Sequence, residues 1–264
     1  MDLGLRGRIA LVAGGSRGCG RGISEVLAEE GARVVLTGRN RDAVEAAERA
    51  IRERGGAVAG VVADMTTEAG VATIVASARS AFGDPDILVV NSPGPMIDAE
   101  TGARRGFEAC ADQDYLDVFN SHVISAVRLT RALLPAMKAR RWGRILNIGS
   151  IAFKTPHQED PMPAQDVRIA VAPLQKIVAH EYGEYGITAN TIATGPFDSE
   201  LSRDYRATKP AVKTEEWFLK MLPVRRWGQP REMGYLAAFL CSDCAAFLTG
   251  EVIRLDGGYT KSLF

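Results

Sequence analysis

A glycine-rich run near the start of the chain has the residue types that a phosphate-binding turn needs. It lies between the apolar residues 9–12 and an apolar helical stretch, Ile23 to Glu30, and reads Ala13-Gly14-Gly15-Ser16-Arg17-Gly18-Cys19-Gly20. Glycine allows a sharp backbone turn and lets a phosphate approach main-chain N–H groups without a Cβ in the way. The N-terminus of the following helix adds free donors and a positive dipole end. The run therefore predicts a dinucleotide site formed by Gly14, Ser16, Arg17, Gly18, Cys19 and Gly20.

The end of the second predicted strand, Leu36-Thr37-Gly38-Arg39-Asn40, indicates which dinucleotide would bind. An NAD site is expected to place an aspartate or glutamate there, to accept a hydrogen bond from the ribose 2′-hydroxyl. This chain has Arg39 instead, and Arg17 lies inside the glycine run. Two guanidinium groups suit a 2′-phosphate through paired, charge-assisted hydrogen bonds. The sequence predicts NADP(H) as cofactor, with Thr37 and Arg39 among its binding residues. The alternative, that Arg39 is only a surface cation, would not explain why the expected aspartate or glutamate is absent.

These motifs must be positioned by strands and helices, and the pattern of apolar residues predicts where those elements lie. Short β-branched runs alternate with longer amphipathic stretches such as Asp42 to Arg54, where Val44, Ala47 and Ile51 fall on one face. Alternation of this kind predicts the α/β class, a single Rossmann-type doubly wound parallel sheet of about seven strands with helices on both faces. The runs that indicate buried strands are 9–12, 34–36, 58–62, 87–90, 145–148 and 187–192.

Composition excludes several other classes of protein. Of the 264 residues, 46% are hydrophobic and 24% are charged, which argues against disorder. The 32 Lys plus Arg residues balance the 32 Asp plus Glu residues, which argues against nucleic-acid or membrane partners. The first residues lack a signal-peptide pattern and no apolar run approaches the length of a membrane span, so a cytoplasmic protein is expected. The pair Cys241 and Cys244 has no second pair or nearby histidine, which favours helix packing over a metal site.

Motifs along the whole chain resemble those of the short-chain dehydrogenase/reductase family. They are Gly14-x-x-x-Gly18-x-Gly20, Asp64, Asn91-Ser92-Pro93-Gly94, residues 143–150, Gly186-Ile187-Thr188-Ala189-Asn190, residues 223–228, Leu248-Thr249-Gly250 and Asp256-Gly257-Gly258. The resemblance implies one dinucleotide-binding domain over residues 1–264 and a homotetramer or homodimer that packs through helices at 115–140 and 164–185. It further implies cofactor contacts from Asp64, Met65, Asn91, Ser92, Gly94, Gly195 and Ser199.

The catalytic residues of that family are matched only in part. Its usual set is Asn–Ser–Tyr–Lys, in which the tyrosine exchanges the substrate proton, and Ser150 matches the serine. Counting thirteen residues on from Ser150 reaches Pro163, whereas counting back from Gly186 reaches Ala164. Neither is a tyrosine, and residues 116–181 contain none.

The other two columns also differ from the family pattern. Arg168 occupies the lysine column, where it can act as a fixed cation near the ribose but not as an ordinary proton donor. His122 occupies the asparagine column, with Asn120 two residues before it. We expect His122 or His157 to replace the tyrosine as proton donor, because an imidazole titrates near neutrality. Glu159, Asp160 and Tyr205 are further candidates, and His180 is expected to be structural.

Residues 197–228 mix charged and aromatic side chains after a strand end and are predicted to form a substrate lid; an oligomer contact or a surface helix pair is the alternative. The aromatics, Trp217, Phe218 and Trp227, suggest a ring-bearing or apolar substrate, while the many cations fit an anionic one such as an acyl thioester.

Three functions remain open on this sequence. The first is an NADPH-dependent oxidoreductase that reduces a keto, enone or imine group of a small organic substrate with a non-standard proton donor. The second is a non-redox enzyme, such as a dehydratase, epimerase or cyclase, with His122 or His157 as acid and base. The third is a non-catalytic nucleotide-binding subunit.

Overall fold

A computed structural model describes residues 1–92, 106–156, 164–200, 202–203 and 215–263. In this part of the chain seven parallel strands form one sheet in the order β3-β2-β1-β4-β5-β6-β7. The strands are β1 Ile9–Ala13, β2 Arg33–Gly38, β3 Val58–Val62, β4 Ile87–Val90, β5 Gly143–Ser150, β6 Ile187–Thr194 and β7 Val252–Leu255. The strand order reverses between β1 and β4, and in such sheets ligands bind beyond the carboxyl ends at the reversal. The predicted α/β fold is confirmed.

Helices pack on both faces of this sheet. They are α1 Gly18–Glu29, α2 Arg41–Glu53, α3 Glu68–Ala81, α4 Asp112–Phe119, α5 Ser125–Arg140, α6 Ala164–Val167, α7 Val171–Tyr182, α8 Glu215–Met221 and α9 Pro230–Leu240. One face buries Ile23, Leu27 and Met233 in a cluster with strand residues, and the other buries Ile74, Leu129 and Leu133. Because both faces are covered, strand residues such as Leu11 and Leu88 have no exposed surface.

The start of α1 differs from the prediction. The apolar pattern placed it at Ile23, but the helix begins at Gly18, inside the glycine run. Glycine is a poor helix former, so propensity alone argues against these residues. Packing overrides propensity here: a Cβ on Gly22 would lie 2.1 Å from the carbonyl oxygen of Pro230, which shows how closely α1 approaches α9.

The two long helices expected at 115–140 and 164–185 are each interrupted. Between α4 and α5 the backbone forms a π-helical segment, Asn120–Ile124, which contains His122. Between α6 and α7 it forms a turn of 3₁₀ helix, Arg168–Ala170, which contains Arg168. Both interruptions therefore contain a residue that occupies a catalytic position of the family. π-Bulges are frequent at functional sites.

The ends of the predicted lid are joined. Phe197 and Gly228 form a parallel bridge, the Asp198 N–H donates to the Gly228 carbonyl at 2.8 Å, and the Gly228 N–H donates to the Pro196 carbonyl at 3.0 Å. Residues 197–228 therefore leave and rejoin the body of the protein at one place, whereas their role as a lid stays a prediction.

No helix among the described residues is long and apolar enough to cross a membrane. The same residues contain no group of three or more His, Cys, Asp or Glu side chains that could hold a metal ion. Cys241 is buried in the core beside α9, as the helix-packing interpretation expects, and Cys244 is exposed. The cytoplasmic location remains a prediction.

Candidate active site

The glycine turn is held against the ends of three strands. Gly14 has φ +75°, its N–H donates to the Thr37 hydroxyl at 3.3 Å, and its carbonyl accepts from the Asn91 side-chain amide at 3.0 Å. A Cβ on Gly14 would lie only 1.9 Å from the Asn91 carbonyl oxygen. Glycine is required here by both backbone conformation and contact, and the turn sits at the carboxyl ends of β1, β2 and β4.

A second set of contacts fixes the turn to α1. A Cβ on Gly20 would lie 2.0 Å from the Gly14 carbonyl oxygen, so these two glycines touch through their backbones. The buried Ser24 hydroxyl lies 3.1 Å from the Gly15 carbonyl and 3.0 Å from the Gly20 carbonyl. Ser24 was not among the predicted residues. Its position one turn after Gly20, on the buried face of α1, could have identified it from the sequence.

The first turn of α1 suits an anion. Its N-cap residue, Arg17, makes no side-chain capping bond, and the turn carries no acidic residue. The N–H groups of the first turn lack an intrahelical acceptor, and the dipole places positive charge there. These residues fit a pyrophosphate.

The two predicted phosphate-binding arginines border one crevice. A Cβ on Gly38 would lie 2.4 Å from the Ser16 hydroxyl oxygen, so Ser16 packs directly on the end of β2. Arg17 and Arg39 immediately follow these two contacting residues. Arg39 is exposed and makes no ion pair with any described residue, so it can reach a ligand.

Arg17 has a neighbour that the sequence did not indicate. Its Nε lies 3.8 Å from a carboxylate oxygen of Glu200, and the two side chains are 57% and 61% exposed. A long, solvated pair of this kind contributes little to stability. It can therefore exchange for a phosphate at small cost.

The Cys19 thiol is not suited to chemistry at this site. Burial raises the pKa of this thiol to about 12, so it stays protonated and unreactive. Its side chain packs against the cluster between α1 and the sheet.

Two of the predicted cofactor residues, Asp64 and Met65, lie after β3. The Asp64 carboxylate accepts from the Thr66 N–H at 2.9 Å, and its carbonyl accepts from the Thr67 hydroxyl at 3.2 Å. Met65 is half-buried against the apolar cluster under α3. Ser92 is buried directly after Asn91 at the end of β4. Their contacts with a nucleotide stay predictions, and Gly94 lies outside the described residues.

The segment after β6 lies over the glycine turn. A Cβ on Gly18 would stand 3.2 Å from the Cβ of Ser199, so this serine rests on the turn. The Ser199 hydroxyl accepts from the Ser202 N–H at 3.2 Å. Gly195 is in tight contact with the next strand, since its Cβ would meet the Asp256 Cα at 2.4 Å. Ser199 thus borders the glycine turn, whereas Gly195 packs against the end of β7.

Ser150 and Arg168 are brought together at the end of β5. Ser150 is half-buried, and its hydroxyl oxygen accepts from the Ala152 N–H at 3.2 Å, which leaves its proton available to donate. An Arg168 Nη donates to the carbonyl of Gly149, the residue before Ser150, at 3.1 Å. The guanidinium is therefore bound to the end of β5, the strand that carries Ser150.

His122, in the π-helical segment, lies close enough to Arg168 to feel its charge. It is only 4% exposed, and its Nε2 has no hydrogen-bond partner within the described chain. Burial, and then the charge of Arg168, hold the pKa of its imidazole well below the usual 6.5. The expectation that His122 titrates near neutrality is therefore wrong, because its place in the π-helical segment buries it against a fixed cation.

Asn120 does not replace His122 at the site. Its side chain donates to the Thr66 carbonyl at 3.1 Å and accepts from Arg128 at 3.2 Å, so it ties the π-helical segment to the loop after β3. His180 is exposed on α7. Ala164 begins α6. The other candidates lie outside the described residues, namely His157, Glu159, Asp160, Pro163 and Tyr205.

Comparison with known proteins agrees with this geometry. A protein-family model described as enoyl-(acyl carrier protein) reductase matches residues 13–260. The chain belongs to the short-chain dehydrogenase/reductase family. Over 262 residues it is 31% identical to the 3-oxoacyl-[acyl-carrier-protein] reductase FabG of Pseudomonas aeruginosa, covering 98% of this chain and 100% of that protein.

Solved structures support the same assignment. L-Sorbose reductase from Gluconobacter frateurii, in complex with NADPH and L-sorbose, has a TM-score of 0.85 and 33% identity over the full length of both chains. A gluconate 5-dehydrogenase from Burkholderia cenocepacia, in complex with NADP and tartrate, has a TM-score of 0.86 and 30% identity over 99% of this chain and 98% of that one. The chain is thus an oxidoreductase of this family.

Proposed function

We propose that this protein is an NADP(H)-dependent oxidoreductase that reduces a keto, enone or imine group of a small organic substrate, using a proton donor other than the family's tyrosine. The observation that carries the proposal is that a complete dinucleotide turn and the Ser150–Arg168 pair lie at the same edge of one sheet. Two relatives of similar structure were solved with the phosphorylated cofactor. Arg17 and Arg39 are the groups that would hold its 2′-phosphate.

The bound cofactor would supply a hydride, and the chain's own residues would prepare the substrate. The Ser150 hydroxyl has a proton to donate to the substrate oxygen. Arg168, fixed on the Gly149 carbonyl, places a positive charge where negative charge develops. No tyrosine occurs between residues 116 and 181, so the transferred proton comes from another group or from water.

Two of the described lid cations are paired with carboxylates, which favours an uncharged substrate at this part of the lid. Arg203 donates two hydrogen bonds to Asp198, at 3.0 and 2.9 Å, and Arg226 donates two to Glu232, at 2.7 and 2.6 Å. Phe218 stacks on Trp227 with ring centroids 4.7 Å apart. An open groove of about 520 Å³ lies at the base of the lid, away from Ser150, and is lined by Asp198, Leu219, Arg225, Arg226, Trp227, Gln229 and Glu232. A ring-bearing substrate would suit this aromatic and charge-paired wall.

A non-redox reaction is the second candidate, since His122 is a neutral imidazole and a neutral imidazole can accept a proton. Burial of its Nε2 away from solvent argues against direct contact with substrate. With His122 as acid and base, the alternative therefore requires movement of the residues around it. His157, the other acid–base residue of this alternative, lies outside the described residues.

Substrate reduction tests the proposal directly. Purified protein, NADPH and a panel of β-ketoesters, quinones, enones and cyclic imines should show loss of NADPH absorbance. Ser150→Ala should lower kcat by about 10²–10³-fold while NADPH binding is kept, because it removes a donor to the reacting oxygen. NADPH binding without consumption by any substrate class would move the assignment to the non-redox enzyme or to a nucleotide-binding subunit.

A further inference from the structure

The residues that begin the predicted lid are held together by their own hydrogen bonds. The Ser199 N–H donates to the Ser202 hydroxyl at 2.9 Å, and the Ser202 N–H donates to the Ser199 hydroxyl at 3.2 Å. The Arg203 side chain donates two hydrogen bonds to Asp198, and its N–H donates to the Ser199 carbonyl at 2.9 Å. The backbone position of Glu200, which lies between these residues, is therefore set by its neighbours.

This start of the lid brings a carboxylate to the glycine turn. Ser199 rests on Gly18, and the next residue, Glu200, places a carboxylate oxygen 3.8 Å from the Nε of Arg17. Both charged side chains are more than half exposed, so the ion pair between them is readily broken. The start of the lid therefore meets the glycine turn at two points, a serine against its backbone and a carboxylate against its cation.

Glu200 also lies near a second cation. The hydrogen bonds and charge of Asp198, and then the charge of Glu200, raise the pKa of the Arg203 guanidinium. A guanidinium has five N–H donors, so Arg203 can keep its two bonds to Asp198 and still attract another carboxylate. The Glu200 carboxylate can therefore leave Arg17 and remain close to a positive charge.

The two possible cofactors bring different groups to Arg17. A phosphate monoester carries a charge of about −1.5 to −2 at pH 7, whereas the ribose 2′-hydroxyl of NADH carries none. A carboxylate that already lies at Arg17 must either be displaced by the phosphate or remain and repel it. Neither cost applies to a hydroxyl. A carboxylate at this position therefore opposes binding of the phosphorylated cofactor selectively.

Resting on the function proposed above, we propose that Glu200 is a specificity-determining residue that competes with the 2′-phosphate of NADP(H) for Arg17. Without cofactor, Glu200 pairs with Arg17 and joins the start of the lid to the glycine turn. When NADP(H) binds, the phosphate takes Arg17 and the Glu200 carboxylate turns toward Arg203. Glu200 thus moderates the preference for NADP(H) that Arg17 and Arg39 create, and it makes the contact between lid and glycine turn depend on the cofactor's phosphate.

Two nucleotide fragments test the competition at Arg17. Adenosine 2′,5′-bisphosphate carries the 2′-phosphate, whereas 5′-AMP lacks it, and both lack the nicotinamide. In calorimetry, Glu200→Gln should bind adenosine 2′,5′-bisphosphate at least ~2-fold and up to about 5-fold more tightly than wild type, as the upper range for exposed ion pairs predicts. Its affinity for 5′-AMP should be unchanged. NADPH and NADH should show the same difference.

A double-mutant cycle and a matched control complete the experiment. In an Arg17→Met background, Glu200→Gln should give no gain, because the group for which Glu200 competes has been removed. Glu53→Gln, which changes an exposed carboxylate in the last turn of α2, should bind both fragments like wild type. The competition is overturned if Glu200→Gln gains equally with and without Arg17, or if it binds adenosine 2′,5′-bisphosphate no more tightly than wild type.

These outcomes are distinct from a failure of the reductase proposal. A wild-type protein that binds neither NADPH nor adenosine 2′,5′-bisphosphate would overturn the proposed function, and this inference with it. A wild type that prefers NADPH, together with a Glu200→Gln protein of the same preference, would overturn the competition at Arg17 alone.

Discussion

At the residue scale, we propose that the chain keeps the family's serine, Ser150, and replaces the groups around it. The sequence could locate Ser150, Arg168 and His122, because their places along the chain match the positions of the family's catalytic residues. It could not give the protonation state of the His122 imidazole, which depends on burial in a π-helical segment and on the Arg168 charge. Nor could it indicate Glu200 beside Arg17, because that pair joins residues separated by most of the chain.

The neutral state of His122 has a consequence for stability. Because its folded-state pKa lies below the usual 6.5, the unfolded chain binds a proton that the folded chain does not as the pH falls through that value. The free energy of unfolding should therefore fall on acidification from about pH 7, with this residue contributing a slope of up to about 1.4 kcal/mol per pH unit. Urea unfolding of wild type and His122→Gln between pH 7.5 and pH 5 measures it.

The His122→Gln protein should show a shallower pH dependence than wild type, whatever its stability at neutral pH. His180→Gln, which changes an exposed residue of α7, is the matched control and should keep the wild-type slope. Identical slopes for wild type and His122→Gln would mean that His122 is not held neutral in the folded protein.

At the element scale, the strands were predictable and the helix boundaries near the site were not. Buried parallel strands are continuous apolar runs, so 58–62 and 87–90 were placed at their observed bounds. The seventh strand, Val252–Leu255, was not singled out because it is short, half-buried and includes Arg254. The start of α1 was missed because glycine packing against Asn91 and Pro230 cannot be seen from propensity.

The contact between Gly20 and Gly14 predicts a sharp effect of one methyl group. Gly20→Ala would force a Cβ to within 2.0 Å of a backbone oxygen, so the turn must shift. We expect a loss of about 1–3 kcal/mol of stability and at least ~10-fold weaker NADPH binding. Gly183→Ala is the matched control, because its Cβ would meet nothing within 4 Å and its φ is −58°. Thermal unfolding and calorimetry on both variants would contradict the account if Gly20→Ala bound NADPH like wild type.

At the scale of the whole molecule, the alternating pattern was enough to predict a sheet covered on both faces. The strand order, and with it the crevice between β1 and β4, follows from pairing between distant segments that composition does not show. That one domain spans residues 1–264 remains a prediction. The sequence could show which residues occupy the family's catalytic positions. It could not show which side chain donates the proton, because that depends on side-chain burial.

Helices α4 and α7, which flank the π-helical segment and the Arg168 turn, each expose an apolar side chain. Leu116 is 60% exposed on α4 and Ile177 is 55% exposed on α7. The family resemblance leads us to expect that these helices meet those of another copy in a homodimer or homotetramer, and exposed apolar side chains on both helices fit such an interface. The double substitution Leu116→Glu/Ile177→Glu should lower the mass measured by analytical ultracentrifugation. The conservative Leu116→Met/Ile177→Val protein should keep the wild-type mass; a monomeric wild type would contradict the expectation.

The central claim, that arginines at the end of β2 and in the glycine turn select the phosphorylated cofactor, is tested most directly by calorimetry with NADPH and NADH. Wild type should bind NADPH about 10–100-fold more tightly than NADH, as one or two charge-assisted hydrogen bonds predict. Arg39→Ala should remove most of that preference, and Arg49→Ala on α2 should leave it unchanged. Equal affinity of the wild type for NADPH and NADH, or an unchanged preference in Arg39→Ala, would contradict the account.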